Sequence, residues 1–185
     1  MFSLLKSPLL ALFVGQALAG VLSERAACST VSNVKHTFFG YPDNYPPGAG
    51  TAYNCGGRNY VAGGTGTYAD PLSMASAEGE FSPCEIAYVP YLQKYVRYED
   101  VCDTCTSDFS SGVNHIDIWT GSSTQTGGQD QINCENSLTP PESHTIIRNP
   151  ASNLQADVTA LYDVYSGQCG TSHVYNTFKV SDYCS

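Results

Sequence analysis

The chain has 185 residues, a formal net charge of −9 and eight cysteines. Its length fits one domain, and its acidity argues against nucleic acid or an anionic membrane surface as a partner, since both would repel it. Only 14% of the residues are charged and 42% are hydrophobic, which excludes a disordered chain and leaves enough apolar mass for a core.

At the N-terminus, Lys6 precedes the apolar run Leu9 to Val14, which closes on the small-residue motif Ala17-Leu-Ala19. This is the pattern of a secretory signal peptide, too short for a membrane span. Residues 1–19 are therefore read as the signal, 20–33 as a flexible leader and 34–185 as one domain. No later stretch is long and apolar enough to cross a bilayer. The expected product is a secreted, extracellular monomer with no membrane partner. No asparagine has Ser or Thr two positions on, so solubility has to come from the acidic surface.

Seventeen glycines, ten prolines and thirteen tyrosines, with no sustained 3.6-residue periodicity, predict an all-β domain rich in loops. Lys35 to Gly40 reads as the first strand, ended by the turn-rich Tyr41-Pro-Asp-Asn-Tyr-Pro-Pro-Gly48. A turn cluster from Ala62 to Gly66 precedes Thr67-Tyr-Ala-Asp70. Strands are predicted over Cys84 to Val89 and Lys94 to Glu99, then over Asn114 to Thr120. Gly121 to Gln131 reads as a polar loop. Further strands are predicted over Thr145 to Arg148, Val158 to Tyr162 and Val174 to Val180.

The cysteines are Cys28, Cys55, Cys84, Cys102, Cys105, Cys134, Cys169 and Cys184. An even number in an exported chain predicts four disulfides, with the pairing left open among 105 possibilities. The single C-x-x-C, Cys102 to Cys105, also fits zinc or redox chemistry, but no second ligand pair completes a tetrahedral site. No metal and no cofactor are expected. The histidines His36, His115, His144 and His173 lack metal-ligand spacing, and no G-x-S-x-G marks a nucleophile elbow. Gly63-Gly-Thr-Gly66 lacks the Lys of a phosphate loop and reads as a turn.

The segment Asn114-His-Ile-Asp-Ile-Trp-Thr-Gly121 carries the chemical signal. Alternation along a strand sends Ile116 and Ile118 to the core and leaves His115, Asp117 and Trp119 on the other face. A carboxyl beside an indole on a ligand-facing surface is suited to general acid work, because an apolar neighbour raises its pKa. The alternative is that Asp117 only hydrogen-bonds a loop.

This segment resembles the H-F-D-hydrophobic strand of expansins, family 45 endoglucanases and the membrane-bound lytic transglycosylase A, all double-psi β-barrels. Asp70-Pro71, Ala87-Tyr-Val-Pro90, Glu99-Asp100 and Ile116-Asp-Ile118 follow the order of motifs in the three-aspartate domain related to that transglycosylase. Thr37-Phe-Phe-Gly40 is similar to the T-F-Y-G that opens expansin barrels. The chain as a whole resembles a group of small secreted fungal proteins with a T-F-F-G-Y-P-D-N opening. The disulfide-bearing loop after Asp100 departs from the glycine turn of the three-aspartate domains.

The resemblance implies an all-β, six-stranded double-psi β-barrel with long disulfide-stapled loops. It also implies a groove for a cell-wall polysaccharide: peptidoglycan, β-glucan or chitin. Asp117 becomes the acid of a muramidase-like or endoglucanase-like cleavage of β-1,4-glycosidic bonds. Asp100 is the first candidate for the second carboxylate, with Asp103, Asp70 and His115 in support. Tyr41, Tyr45, Tyr53, Tyr60 and Trp119 lie in or beside predicted loops, where rings can stack on sugars. Asp103 and Asp108 add negative charge that favours cationic or neutral glycans. Two other readings are a non-catalytic, expansin-like wall-binding or wall-loosening protein and a secreted effector or antimicrobial scaffold.

Overall fold

The structure is a computed structural model that describes residues 27–184. The signal peptide over 1–19 and the first part of the leader lie outside the described residues. Six strands, β1 (Ser29–Phe39), β2 (Leu72–Ser76), β3 (Ile86–Val89), β4 (Lys94–Val101), β5 (His115–Trp119) and β6 (His144–Arg148), close into a barrel in the order β1-β5-β2-β4-β3-β6. The pairs β1·β5 and β2·β4 are parallel, and the other ladders are antiparallel. This is the all-β, six-stranded barrel expected from the sequence, with α1 (Asp103–Ser110) and α2 (Gly128–Leu138) packed outside it. The two-residue strands β7 (Tyr162–Asp163) and β8 (Gln168–Cys169) pair separately.

The alternation of side chains fills the barrel. Val34, Phe38, Leu72, Met74, Val96, Tyr98, Ile116 and Ile118 belong to one buried cluster inside it. Residues between them, Thr37, Ala75 and Asp117 among them, take the outer face. A second buried cluster, with Phe39, Ala75, Cys105 and Trp119, forms on that outer side. Burial of each large apolar side chain contributes roughly 1.5–3 kcal/mol.

Several boundaries differ from the sequence reading. The leader is not free where it is described: Ser29, Thr30 and Val31 pair with Arg148, Ile147 and Ile146. The predicted strands over 158–162 and 174–180 do not form, apart from Tyr162 in β7. That C-terminal stretch instead lies over the barrel: Lys94 donates to the carbonyls of Asp157 and Thr159, and Tyr175 N–H donates to Tyr91 O at 2.7 Å. Val174 and Phe178 pack on the core without ladder partners.

All eight cysteines pair, as Cys28–Cys184, Cys55–Cys84, Cys102–Cys105 and Cys134–Cys169. The first closes a separation of 156 residues and ties both ends of the described chain together. No helix among the described residues is long and apolar enough to cross a membrane.

Candidate active site

The site is a row of four side chains across four adjacent strands. Parallel pairing of β1 with β5 sets Thr37 beside Asp117, and antiparallel pairing of β5 with β2 sets Asp117 beside Ala75. On the far side of Ala75, the β2–β4 ladder shifts register: Met74 pairs with Tyr98, but Ala75 pairs with Asp100. The bulge at Glu99 matters because side chains alternate with a period of two. Without it, Ala75 would face Glu99, and Asp100 would point into the barrel. Two strand spacings of about 4.8 Å separate Asp117 from Asp100, about 9.5 Å between backbones.

Both carboxylates line a cleft of about 310 Å³, together with Asp43, Asn44, Tyr45, Asp103 and Thr104. Such a volume lies at the lower end of ligand sites. One wall is the loop after β1. Asp43 caps it by accepting from Gly40 N–H at 2.9 Å, and Asn44 Nδ2 donates to Gly48 O and Gly50 O at 3.0 and 3.1 Å. Gly40 lets the side chains of Gln131 and Glu135 approach closely: a Cβ there would lie 1.9 Å from Gln131 Nε2, so a larger residue would require Gln131 to move. The opposite wall is the start of α1, where Cys102 caps the helix by accepting from Cys105 N–H and Asp103 sits in the first turn. Negative charge there is favourable to the helix dipole.

Burial pushes the Asp117 carboxyl up to about 7, and Asp43 and Asp100 add to the rise against the opposing hydrogen bond from Thr37. Its outer edge still meets the cleft, since the residue is only half-buried. Asp100 is also raised, first by burial and then by Glu99, although Oδ1 accepts from the N–H groups of Ala52 and Val101 at 2.9 Å each. Two carboxyls held above the ordinary range in one cleft are suited to acid and base roles.

Behind Asp117 runs a second set of contacts. Thr37 Oγ1 lies 2.7 Å from Asp117 Oδ1 and 2.9 Å from His115 Nε2. His115 Nδ1 is 2.8 Å from Asp108 Oδ2, a charge contact too bent to be an aligned hydrogen bond. Lys35 Nζ donates to the same Asp108 oxygen at 2.9 Å. Burial, then Lys35, holds His115 below the usual imidazole value. Sequence alternation located His115, but nothing in it pointed to Thr37 or Asp108 as its partners.

The remaining predicted residues lie elsewhere. Asp70 is paired with Arg58 at 2.7 Å, and Arg58 also reaches buried Glu99. Asp70 therefore belongs to the exposed end of a largely buried ion network and not to the cleft. Trp119 does not present its ring to ligand: it is 1% exposed and packs edge-on against Phe39 at 5.3 Å. It shares the outer side with Asp117, as alternation requires, but the loop after β1 covers it, and Tyr41 packs on the same cluster. Tyr53 packs against Tyr98 at 5.3 Å. Tyr60 is exposed but does not line the cleft. Tyr45, 95% exposed, is the tyrosine that does. No group of three or more His, Cys, Asp or Glu residues that could hold a metal ion occurs among the described residues.

Residues 31–170 match the family described as DDB_G0273701 N-terminal domain, a span that includes every strand of the barrel except the first two residues of β1, Ser29 and Thr30. The chain belongs to this family. It is 37% identical over 134 residues to a Dictyostelium discoideum protein described as "Uncharacterized protein DDB_G0273701/DDB_G0273221". The shared segment covers 72% of this chain and 57% of that relative. No solved structure matches the chain. The family span contains Thr37, Ala75, Asp100, Asp108, His115 and Asp117, so the row and its backing contacts all fall inside it.

Proposed function

We propose that the chain is an exported protein whose cleft takes a strand of cell-wall polysaccharide and hydrolyses a β-1,4-glycosidic bond, with Asp117 as general acid and Asp100 as general base. The observation that carries this reading is the pairing of both residues with Ala75. It puts the two carboxylates on one face with a single methyl group between them. Inverting glycosidases hold their carboxyls about 6.5–9.5 Å apart to leave room for water. A spacing of two strands fits that class better than the shorter separation of retaining enzymes.

The chemistry follows from the two environments. Asp117, protonated up to about pH 7 because it is buried, gives its proton to the leaving glycosidic oxygen. Asp100, held by two backbone N–H groups, takes a proton from the attacking water. Tyr45 at the rim offers a flat face for a sugar ring. Four aspartates lining the cleft, Asp43, Asp100, Asp103 and Asp117, favour neutral or cationic glycans and disfavour anionic ones such as pectin. Export rests on the pattern of residues 1–19 and on four disulfides, which persist in oxidising compartments.

The test is incubation of purified protein and of Asp117→Asn with insoluble peptidoglycan, β-glucan and chitin. Soluble saccharide from the wild type and its loss in the variant support hydrolysis. Binding without release favours a wall-binding or wall-loosening protein. Neither binding nor release leaves the effector or antimicrobial scaffold.

A further inference from the structure

Hydrolysis gives the C-x-x-C disulfide no part, yet Cys102–Cys105 stands in the wall of the cleft. Its two sulfurs are in different surroundings. Cys102 lines the cleft, whereas Cys105 is fully buried in the cluster that contains Phe39, Ala75 and Trp119. A group entering the cleft therefore reaches Cys102 and not Cys105.

Cys102 also has hydrogen-bond donors around it. Its Sγ accepts from Cys105 N–H at 3.0 Å. Thr104 Oγ1 lies 3.2 Å away and has to be the donor, because a disulfide sulfur carries no hydrogen. The same donors would hold a Cys102 thiolate, and the start of α1 adds its dipole. In two of the other bridges the sulfurs meet carbonyl oxygens, which repel a thiolate: Cys55 lies 3.8 Å from Tyr98 O, Cys84 4.0 Å from Asn54 O, Cys134 3.4 Å from Leu161 O and Cys169 3.7 Å from Cys134 O. Opening Cys102–Cys105 also frees the least chain, a separation of 3 residues against 29, 35 and 156. Thr106 N–H still donates to Cys102 O at 2.9 Å, and Lys35 still holds Asp108, so the helix stays in place.

We propose that Cys102–Cys105 is a thiol-reactive disulfide, a second reactive centre in the cleft wall that oxidises an uncharged or cationic thiol. The donor thiol loses its proton to solvent, and its thiolate attacks Cys102 Sγ. The Cys102–Cys105 bond breaks as the mixed disulfide forms, and Cys105 leaves as a thiolate that takes a proton from solvent. A second donor thiolate then attacks the donor sulfur of the mixed disulfide. Cys102 leaves as a thiolate, met by Cys105 N–H and the Thr104 hydroxyl. Two thiols have become one disulfide, and their two electrons have reduced the bridge. Asp43, Asp100 and Asp103 line the same cleft and repel an anionic donor. The step uses neither Asp117 nor a saccharide.

The test equilibrates the folded full chain in cysteamine–cystamine buffers of rising thiol content, alkylates the free thiols after an acid quench and maps them by peptide mass spectrometry. Cys102 and Cys105 should become alkylated at a lower thiol ratio than the other six cysteines, and Thr104→Val should raise the ratio they need. Initial opening rates, compared per thiolate at low salt, should be roughly tenfold higher for cysteamine than for 2-mercaptoethanesulfonate, with the gap closing at high salt. The proposal is overturned if another bridge opens at the same or a lower ratio, if Thr104→Val leaves the ratio unchanged, or if the anionic thiol reacts as fast as the cationic one. No saccharide enters the assay, so this centre and the hydrolysis can each fail while the other stands.

Discussion

Asp117 and Asp100 face one cleft from opposite sides of Ala75, each paired with it in a different ladder. Ala75 is 2% exposed and packed beneath them. Its methyl group sets how much space remains for water between the two carboxyls. Ala75→Leu should therefore fill the floor of the cleft and lower product release at least tenfold. Side-chain overpacking costs about 1–3 kcal/mol, so a thermal melt checks that the variant still folds. For the parent protein, the same spacing predicts inversion, read by NMR of the anomeric proton in freshly released sugar.

The pH profile should be bell-shaped. Asp117 must be protonated and sits at about 7, so activity falls as pH rises through 7. Asp100 must be ionised, and burial raises it, so the acid limb should lie above the usual carboxylate value near 3.9. Initial rates between pH 3 and 9 measure both limbs. An alkaline limb absent below pH 9 would remove Asp117 from the role of acid.

Folding stability has its own pH dependence, dominated above pH 6.5 by two carboxyls. Burial pushes Glu135 to about 8 and Asp117 to about 7. Both are protonated in the folded state and ionised when unfolded, so the folded state binds more protons and stability falls as pH rises. Two groups work in the opposite sense: His36, lowered by burial to about 4, up to its unfolded value near 6.5, and Lys94, lowered by burial to about 8, near the top of the range. Between pH 6.5 and 8 the protein should lose about 2 kcal/mol. Urea melts at the two pH values test this, and Glu135→Gln should remove most of the loss.

The disulfides should contribute very unequally. Chain entropy assigns about 5 kcal/mol to a bridge as long as Cys28–Cys184 and about 2 kcal/mol to one as short as Cys102–Cys105. Their separations are 156 and 3 residues. Paired Ser substitutions at each bridge, compared by denaturant midpoint, should reproduce that order.

Much of the barrel was legible because its interior obeys a period of two. Ile116 and Ile118 point inward, and His115, Asp117 and Trp119 take the other side, as alternation requires. What the period could not show was depth: Trp119 lies on the expected face yet is covered. Helix α2 was hidden because its buried positions, Gln131, Cys134, Glu135 and Leu138, have helical spacing but include two polar residues. Those two are buried because they bond to Thr120, with Thr120 Oγ1 donating to Glu135 Oε1 at 2.6 Å and Gln131 Nε2 donating to Thr120 Oγ1 at 3.1 Å. Helix α1 was hidden by its small polar residues and is held by a cap and a disulfide instead of an apolar stripe. The outward turn of Asp100 depends on a bulge, which has no local sequence signature here. Asp70 matched a family motif in order, but Arg58, twelve residues earlier in the chain, draws it into an ion pair.

The role of Asp117 as proton donor is tested most directly by changing how much its substrate needs a proton. Wild type and Asp117→Asn would be assayed on a natural oligosaccharide and on the same oligosaccharide carrying a dinitrophenyl leaving group, which departs without protonation. Asp117→Asn should lose at least a hundredfold on the natural substrate and less than tenfold on the activated one. Equal losses on both substrates, or full activity of Asp117→Asn on the natural one, would contradict that role.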